Sequence, residues 1–305
     1  MPARAPALAP ALAPALALAL ALAAMFSLAA APPAPAQEER RPSHCIALVQ
    51  DAPGMRYLHR ASYAEPVPAE TVRISYIDHA MFLIQTEDGL SAVTDYNGYL
   101  GPSEFVPDVA TMNQAHSTHW TRQPHPDIAH VLPGWNPETG GAVEHHLDLG
   151  GMLVRNVSTN IRGSSFGGAS IEGGNSIFVF EAAGLCIGHL GHLHHVPSPE
   201  QFAALGRLDV VMAPVDGGLT LTLPELIETL QTLESSVVIP MHWFSGGSLS
   251  AFLDGMEDDF RIDRRDGRAL EVSLRTLPPE PTVVVLRPRF LGFNDGTGPA
   301  ARPVE

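Results

Sequence analysis

Seven of the 14 histidines of this 305-residue chain lie in three short segments, residues 111–120, 188–195 and 237–243. The middle segment alone places four imidazoles within the seven residues 189–195. Burying that many imidazoles without polar partners is costly, so core packing explains them poorly. Neutral imidazole is the commonest metal ligand in proteins, and three imidazoles around one ion leave a position open for water. These segments therefore predict a metal centre suited to hydrolysis.

A short apolar run precedes the histidines of each of the three segments. Residues 185–187 precede the middle segment, and residues 237–239 precede the histidine of the third segment. Short apolar runs of this kind are typical of buried strands. Because the ends of neighbouring strands are rigid and lie side by side, we expect imidazoles at these exits to converge on one ion.

The composition excludes several other kinds of chemistry. Asp and Glu number 33 against 18 Lys and Arg, which gives a net charge of −15, and every one of the 18 basic residues is Arg. The absence of Lys excludes Schiff-base catalysis and a nucleotide-binding Walker lysine. An acidic chain also lacks the positive surface that a phosphate backbone requires, so we expect no nucleic-acid partner.

The first 36 residues are almost wholly Ala, Leu and Pro, with Arg4 as the only charge. A basic start, an apolar run and the small residues 34–36 are typical of a secretory signal peptide, with cleavage predicted before Gln37. The mature protein should then be periplasmic or secreted and not inserted in a membrane. A retained membrane anchor stays open as the alternative, and so does the state of the two cysteines, Cys45 and Cys186.

The mature chain divides into three predicted parts. Residues 37–70 are rich in Pro and charge and predict an extended lead-in, residues 71–290 form the folded domain, and residues 291–305 are a tail. Strands are predicted at 71–77, 81–86, 91–95, 152–157, 176–180, 185–187, 208–212 and 237–239. Helices are predicted at 198–205, 223–233 and 248–253, and the charged stretch 254–268 is predicted to be a solvated face or loop. This order of elements favours sheets packed on each other with helices outside.

At the histidine segments the chain resembles the metallo-β-lactamase superfamily, in particular its lactonase-like branch. The resemblance covers roughly residues 71–287 and runs in the family's order. Residues 74–80 are similar to the family's strand followed by Gly-His-Ala/Ser, and Asp95 matches the Asp that supports the metal site from behind its ligands. The resemblance implies an α+β fold, an αββα sandwich of two mixed sheets flanked by helices.

The family's ligand motifs are altered in this chain. The signature His-x-His-x-Asp-His falls on residues 114–119, where Gln114 and Thr118 replace its first His and its Asp. Asn160 stands where the next family ligand, a His, is expected. The family's His-Leu-Gly-Asp becomes residues 189–192, so that His192 replaces the metal-bridging Asp and His189 begins the motif. The last ligand, His242 after Ile-Pro-Met, is intact.

The resemblance implies a mononuclear zinc site with a water in the fourth position. Its ligands would be His119, His192 and His242, with His116 adjacent. The family's catalytic Asp is missing here, so the candidates for the general base are Asp216, His194 and His195. Asp216 is equally well explained as a group that orients a ligand imidazole.

The predicted function is that of an exported zinc hydrolase of a small-molecule ester, lactone, amide or phosphoester. One alternative is a catalytically degenerate member of the fold that binds metal or ligand without turnover, and another is redox chemistry at a mononuclear iron. Residues 163–167 also match the Gly-x-Ser-x-Gly pattern of serine hydrolases. That elbow requires a helix directly after the serine, whereas glycines follow it here, so we reject this interpretation.

Overall fold

The computed structural model describes residues 40–47, 62–163, 170–244 and 246–292. From Pro42 onward the chain forms one unit, and of the residues before Pro42 only Arg40 and Arg41 are described. Fourteen described strands form two sheets. Their bounds are β1 (Val72–Asp78), β2 (Met81–Thr86), β3 (Ser91–Val93), β4 (Val109–Met112), β5 (His130–Pro133), β6 (His146–Asp148), β7 (Met152–Arg162), β8 (Ser170–Ala182), β9 (Leu185–His189), β10 (Val210–Pro214), β11 (Val237–Met241), β12 (Arg261–Arg264), β13 (Ala269–Val272) and β14 (Thr282–Val285).

The two sheets are both mixed. The six-stranded sheet has the order β13-β1-β2-β3-β4-β5, and the eight-stranded sheet has the order β12-β14-β11-β10-β9-β8-β7-β6. In the second sheet, β9, β10 and β11 are parallel neighbours, as are β11, β14 and β12. The carboxyl ends of β9, β10 and β11 therefore meet at one edge of the sheet, and the histidines of segments 188–195 and 237–243 follow β9 and β11 at that edge.

Four helices are described, namely α1 (His44–Ala47), α2 (Pro199–Leu205), α3 (Leu223–Leu233) and α4 (Gly246–Met256). The start of α2 is fixed by Ser198, whose hydroxyl accepts from the Gln201 backbone while the Gln201 side chain accepts from the Ser198 backbone. Thr222 and Glu225 form the equivalent capping box at the start of α3. Such reciprocal caps satisfy backbone N–H groups that the first helical turn leaves unpaired.

One hydrophobic core lies between the sheets, with Phe82 and Tyr76 from the first sheet against Phe178 and Phe180 from the second. A second core packs the four described helices on the outer face of the eight-stranded sheet. The outer face of the six-stranded sheet is covered instead by connecting segments, which contribute residues such as Ile128. The described helices thus all lie on one side of the sandwich.

The predicted α+β fold with two mixed sheets is confirmed. Two elements have the bounds predicted from the sequence, β2 and α3. The interpretation of residues 254–268 as wholly loop or solvated face is wrong, because they contain β12, which pairs with β14 at the edge of the second sheet. The charged side chains of β12 face outward, so the sequence lacked the apolar pattern that indicates a buried strand. An edge strand buries little of either face.

The lead-in, expected to be extended, contains the short helix α1, and Cys45 within it forms a disulfide with Cys186 of β9. This resolves the cysteine question left open by the sequence. Next to the disulfide, the buried Glu181 carboxylate accepts from Ser43, from the His44 backbone and from Arg155. Residues 43–45 are thereby fixed to the second sheet.

In the part of the chain that is described, no helix combines the length and apolar character needed to cross a bilayer. The predicted signal peptide, residues 1–36, lies outside the described residues, as do residues 293–305 of the predicted tail. Residues 164–167 of the rejected serine motif also lie outside them.

Candidate metal centre

Five imidazoles meet at one end of the sandwich, and we call them the imidazole cluster. His79 lies in the turn between β1 and β2, and His116 and His119 lie in the loop after β4. His192 follows β9, and His242 directly follows β11. Both sheets therefore contribute to the cluster, which four separate stretches of chain bring together.

The ring nitrogens of the cluster approach each other closely. Ligand atoms of His79, His116, His119 and His242 all lie within 4.8 Å of one another. His192 completes the group, with its ring centre 5.5 Å from that of His116, 5.2 Å from His119 and 5.0 Å from His242. Of the four predicted ligands, three belong to the tightest set and His192 lies beside them.

Two carboxylates determine which ring nitrogen of His119 and of His242 carries the proton. Nδ1 of His119 donates to Asp95 at 2.5 Å, and Nδ1 of His242 donates to Asp216 at 2.9 Å. Each Nε2 is then left without a proton, because a neutral imidazole carries only one. The two Nε2 atoms nevertheless lie 3.1 Å apart, and Nε2 of His116 lies 3.3 Å from that of His242. Lone pairs that face each other at this distance repel, and a cation bound to both nitrogens would relieve that repulsion.

The surroundings favour the neutral form of four imidazoles of the cluster, those of His79, His116, His119 and His192. Burial, reinforced by the neighbouring imidazoles, lowers the pKa of His79 and that of His192 to about 2. The same two causes lower the pKa of His119 and of His116. Neutral imidazole is the form that binds a metal ion, so protons compete weakly for these nitrogens.

Backbone strain is concentrated at the same place. Six non-glycine residues of the described chain have positive φ, and three of them belong to the site: His79 at 49°, Asp95 at 43° and His242 at 59°. This left-handed conformation is disfavoured for side-chain-bearing residues and persists where the surroundings hold it. At His242 the holding contact is a backbone hydrogen bond, because its N–H donates to the carbonyl of His79 at 2.9 Å.

A family model described as the beta-lactamase superfamily domain matches residues 73–242, more than half of the chain. The match spans the whole imidazole cluster. The chain belongs to this superfamily. The resemblance stated from the motifs is confirmed.

Individual relatives are more distant. A UPF0173 metal-dependent hydrolase of Carboxydothermus hydrogenoformans is 22% identical over 70% of this chain and 100% of that protein. Another, from Salinibacter ruber, is 25% identical over 61% of this chain and 91% of that protein. The crystal structure of a proposed Zn-dependent hydrolase of the metallo-beta-lactamase superfamily from Thermotoga maritima is 26% identical, with a TM-score of 0.49 over 70% of this chain and 98% of that one.

The superfamily implies a divalent metal, and the imidazole cluster fits one. Nε2 of His79 and Nδ1 of His192 are buried without a hydrogen-bond partner, which is costly unless something else binds them. Imidazoles that bind one tetrahedral ion at about 2.0–2.1 Å hold their ring centres about 5.2 Å apart. The three ring-centre distances within the set His119, His192 and His242 are 5.2, 5.1 and 5.0 Å.

The positions where this chain departs from the superfamily motif have taken other roles. Thr118 bonds through its hydroxyl to Nδ1 of His116 at 2.8 Å and so orients that ring. Asn160 faces the β7–β8 hairpin, where its amide oxygen accepts from Gly173. Gln114 lines the cavity next to the cluster, and its amide oxygen is buried without a partner. None of the three shows a contact with the central pair of Nε2 atoms.

Asp216 is placed to orient His242. Besides the His242 ring, its carboxylate accepts from the backbone of Gly218, Leu219 and Thr220 and from the Thr220 hydroxyl. Burial alone would raise the pKa of Asp216, but the hydrogen bonds from His242 and Thr220 hold it below its usual range. A carboxylate so stabilised as an anion is a poor proton acceptor, which favours the orienting role over that of a base.

The other predicted histidines differ in how much of each ring is engaged. His189 donates from Nε2 to the Ala80 carbonyl and accepts at Nδ1 from the Gly191 backbone, so it is fully used in supporting the loop. His195 accepts at Nε2 from the Asn160 backbone and donates from Nδ1 to Val196. His194 donates from Nδ1 to the Asn160 carbonyl and keeps Nε2 only loosely paired, 3.4 Å from the Ser170 hydroxyl.

His79 is the member of the cluster that sequence reasoning did not select as a ligand. It stands alone in the sequence, and a single histidine is more often structural than a ligand. The sequence did contain one indication that His79 belongs to the site. This residue comes directly after a buried strand, within the segment that resembles the superfamily's Gly-His-Ala/Ser. Its left-handed turn conformation, which directs the ring at the cluster, is not visible in residue types.

A cavity of about 520 Å³ adjoins the cluster on the side of His116 and His192. Its walls come from the end of β7, from β8 and from the loops after β4, β9 and β10, with lining residues Gln114, Ala115, Ile161, Arg162, Gly163, Ile171, Gly218 and Leu219. The volume is that of a site for a small molecule.

Proposed function

We propose that this protein is an exported, mononuclear zinc hydrolase of a small-molecule ester, lactone, amide or phosphoester. One observation carries the proposal, the close approach of three ring nitrogens. Nε2 of His242 lies 3.1 Å from Nε2 of His119 and 3.3 Å from Nε2 of His116. Hydrogen bonds to carboxylates hold the rings of His119 and His242 in this orientation. Such a convergence of lone pairs is unfavourable without a cation, and a small-molecule cavity lies directly beside it.

The donor set favours zinc and a single ion. The candidate ligands are all imidazole nitrogens, which suit zinc and other late transition metals better than magnesium or manganese. A second ion would need ligands at the positions held by Gln114 and Asn160, and neutral amides replace imidazoles there. His192 stands where the superfamily's bridging carboxylate is expected, so a bridge between two ions is also missing.

The residues of this chain hold and orient the site. Asp95 and Asp216 fix the tautomers of His119 and His242, so that Nε2 of each ring is directed at the centre. Asn113 supports Asp95 in turn by donating to its second oxygen at 2.9 Å. A bound divalent ion supplies the Lewis acidity that activates water and polarises a carbonyl or phosphoryl group.

Of the three predicted bases, His194 has the least-engaged ring nitrogen. Asp216 and His195 already use their acceptor atoms within the fold. His194 keeps Nε2 3.4 Å from Ser170, which is a weak interaction at that length. We therefore assign the proton-accepting role to His194.

The disulfide between Cys45 and Cys186 supports export, because structural disulfides persist in oxidising compartments and are rare in the cytosol. Cell fractionation, with the intact mass of the purified chain, tests this part. We expect the protein in the periplasm or medium, with its amino terminus at Gln37. Recovery from the cytosol with free thiols would contradict it.

The function is tested by assaying aryl esters, lactones, an amide and a phosphodiester with the zinc-loaded protein, the chelated protein and the protein reloaded with zinc. We expect hydrolysis of at least one class that disappears on chelation and returns with zinc. His192→Ala should lose most of the metal and the activity, whereas the control His125→Ala, whose ring is half exposed, should keep both. Equal metal content in both variants would contradict the assignment.

The altered motif positions favour a second candidate, a member of the superfamily that binds metal and ligand without turnover. Gln114, Thr118 and Asn160 replace residues that the superfamily uses in catalysis. A protein that holds one ion per chain, and hydrolyses none of the substrate classes between pH 5 and 9, would establish this candidate in place of the first.

A further inference from the structure

The cavity beside the imidazole cluster is mostly apolar but contains one cation. Ile161, Ile171 and Leu219 supply its hydrophobic walls. Among its described lining residues Arg162 is the single charged side chain, because the pKa of His116 and that of His192 are lowered. Ile171 and Leu219 are also 41% and 42% exposed, and both line this cavity; exposed apolar side chains that come together in one groove are typical of ligand-binding sites. Together they predict a ligand with an apolar body.

Arg162 has no acidic partner in the part of the chain that the structure describes. Its contact is one long hydrogen bond, from a terminal nitrogen to the Thr220 carbonyl at 3.4 Å, and its Nε is buried without any partner. Arginines that pair with a carboxylate elsewhere are Arg73, Arg155, Arg207, Arg265, Arg275 and Arg287. In a chain with 33 acidic residues, a cation left unpaired inside a cavity points to an anion that comes from outside.

We propose that the cavity binds a substrate with an apolar body and one negative charge, a carboxylate or a phosphodiester, and that Arg162 receives this charge. The inference rests on the proposed function, since it names the substrate class of the same site. A guanidinium presents a planar fork of donors that matches both kinds of anion. One cation balances one charge, so the proposal excludes the dianion of a phosphate monoester as the preferred group.

Binding to the metal-free protein tests this inference separately from hydrolysis. The probes are 4-phenylbutyrate, methyl phenyl phosphate and the neutral 4-phenylbutanamide, titrated by NMR into the chelated full-length mature chain. Removal of the metal ensures that no probe anion binds through the ion. We expect at least one anion to bind about tenfold more tightly than the amide, as a charge-assisted hydrogen bond provides.

Three variants complete the experiment. Arg162→Met should reduce the affinity for the anion to that for the amide, whereas Arg287→Met, at an exposed arginine paired with Asp266, should keep the tenfold preference. Ile171→Ala should weaken acid and amide by the same factor. Equal binding of acid and amide to the wild type, no detectable binding of either anion, or a preference that survives in Arg162→Met would each overturn the inference.

The two proposals fail in different ways. If the zinc-loaded protein hydrolyses neutral esters better than anionic ones, the hydrolase proposal stands and the anion subsite is wrong. If the metal-free protein prefers the anion through Arg162 and the loaded protein hydrolyses nothing, the anion subsite stands and the hydrolase proposal fails. If Arg162→Met does not fold, the comparison of acid and amide in the wild type still decides the inference.

Discussion

The described chain contains two clusters of metal-binding side chains that differ in what their donor atoms already do. In the imidazole cluster, Nε2 of His119 and Nε2 of His242 lie 3.1 Å apart, and Nδ1 of each ring is bonded to a carboxylate. At the helix α1, His44, Cys45 and Cys186 lie equally close together. There the two sulfurs are bonded to each other, and Nδ1 of His44 lies 3.0 Å from the Glu181 carboxylate.

The difference shows that residue type and proximity do not make a metal site. In the imidazole cluster, carboxylates accept the Nδ1 protons of His119 and His242. The unprotonated Nε2 atoms of the two rings therefore point towards each other. At the disulfide, the sulfur atoms are bonded to each other and are not available to a metal. This region contributes instead to the free energy of unfolding. One region should therefore control metal binding and the other the free energy of unfolding, and each of the following variants tests that separation.

The largest effect is expected from His242→Ala. Loss of the His242 ring removes a candidate ligand and one of the hydrogen-bond donors to Asp216, so bound zinc should fall from about one ion per chain to near zero. His44→Ala, at the matching histidine of the disulfide region, should keep its zinc. Elemental analysis of both purified variants measures the difference, and similar metal content in the two would remove the distinction between the regions.

The next largest effect is expected from the double variant Cys45→Ala/Cys186→Ala. The bond closes a loop of 141 residues, and removing such a constraint costs about 2–5 kcal/mol in the free energy of unfolding. Denaturant unfolding measures the loss, and wild type treated with a reducing agent serves as the control. Metal content should not change; a variant that unfolds normally but loses its zinc would show that the two regions are coupled.

Asp216→Asn should weaken metal binding without abolishing it. The amide can no longer hold the His242 tautomer, and the loss of such an orienting group typically lowers metal affinity about 10–100-fold. Competition with a fluorescent zinc chelator gives the affinity. Asp127→Asn, at a side chain 79% exposed, is the matched control and should match the wild type. An unchanged affinity in Asp216→Asn would leave Asp216 without the orienting role.

The smallest effect is a pH dependence of stability at Glu181. Burial would raise the pKa of this carboxyl, but hydrogen bonds from Ser43 and Arg155 hold it below its ordinary value of 4.5. A lowered pKa in the folded state means that the carboxylate stabilises the protein above pH 4.5, and that this contribution is lost as the pH falls through the lowered pKa. Chemical denaturation between pH 7 and 3 should show a shallower decline for Glu181→Gln, and parallel curves would contradict it.

Much of the site could be predicted from the sequence because strand ends are visible as the ends of apolar runs. His119, His192 and His242 follow such runs, and the structure brings their rings to within 5.2 Å of each other. The order of the predicted elements favoured sheets packed on each other with helices outside, and the resemblance to the superfamily implied the α+β sandwich. The edge strand β12 was missed because its exposed charges give no such pattern.

His79 and the roles of the other histidines depended on information that residue types do not carry. The ring of His79 reaches the cluster because of a left-handed turn at φ 49°. His189 and His195 belong to the histidine-rich segment 188–195, and His195 is a candidate base in the sequence, yet both ring nitrogens of each residue bond to backbone atoms. Only three-dimensional hydrogen bonding separates an imidazole that is already used from one that is available.

The most direct test of the account is anomalous diffraction at the zinc edge from crystals of the zinc-loaded wild-type protein. The account predicts one peak per chain, with at least three imidazole nitrogens at about 2.0–2.1 Å and with His119 and His242 among them. Two peaks within the cluster, or a peak outside it with His119 and His242 still in direct contact, would contradict the account.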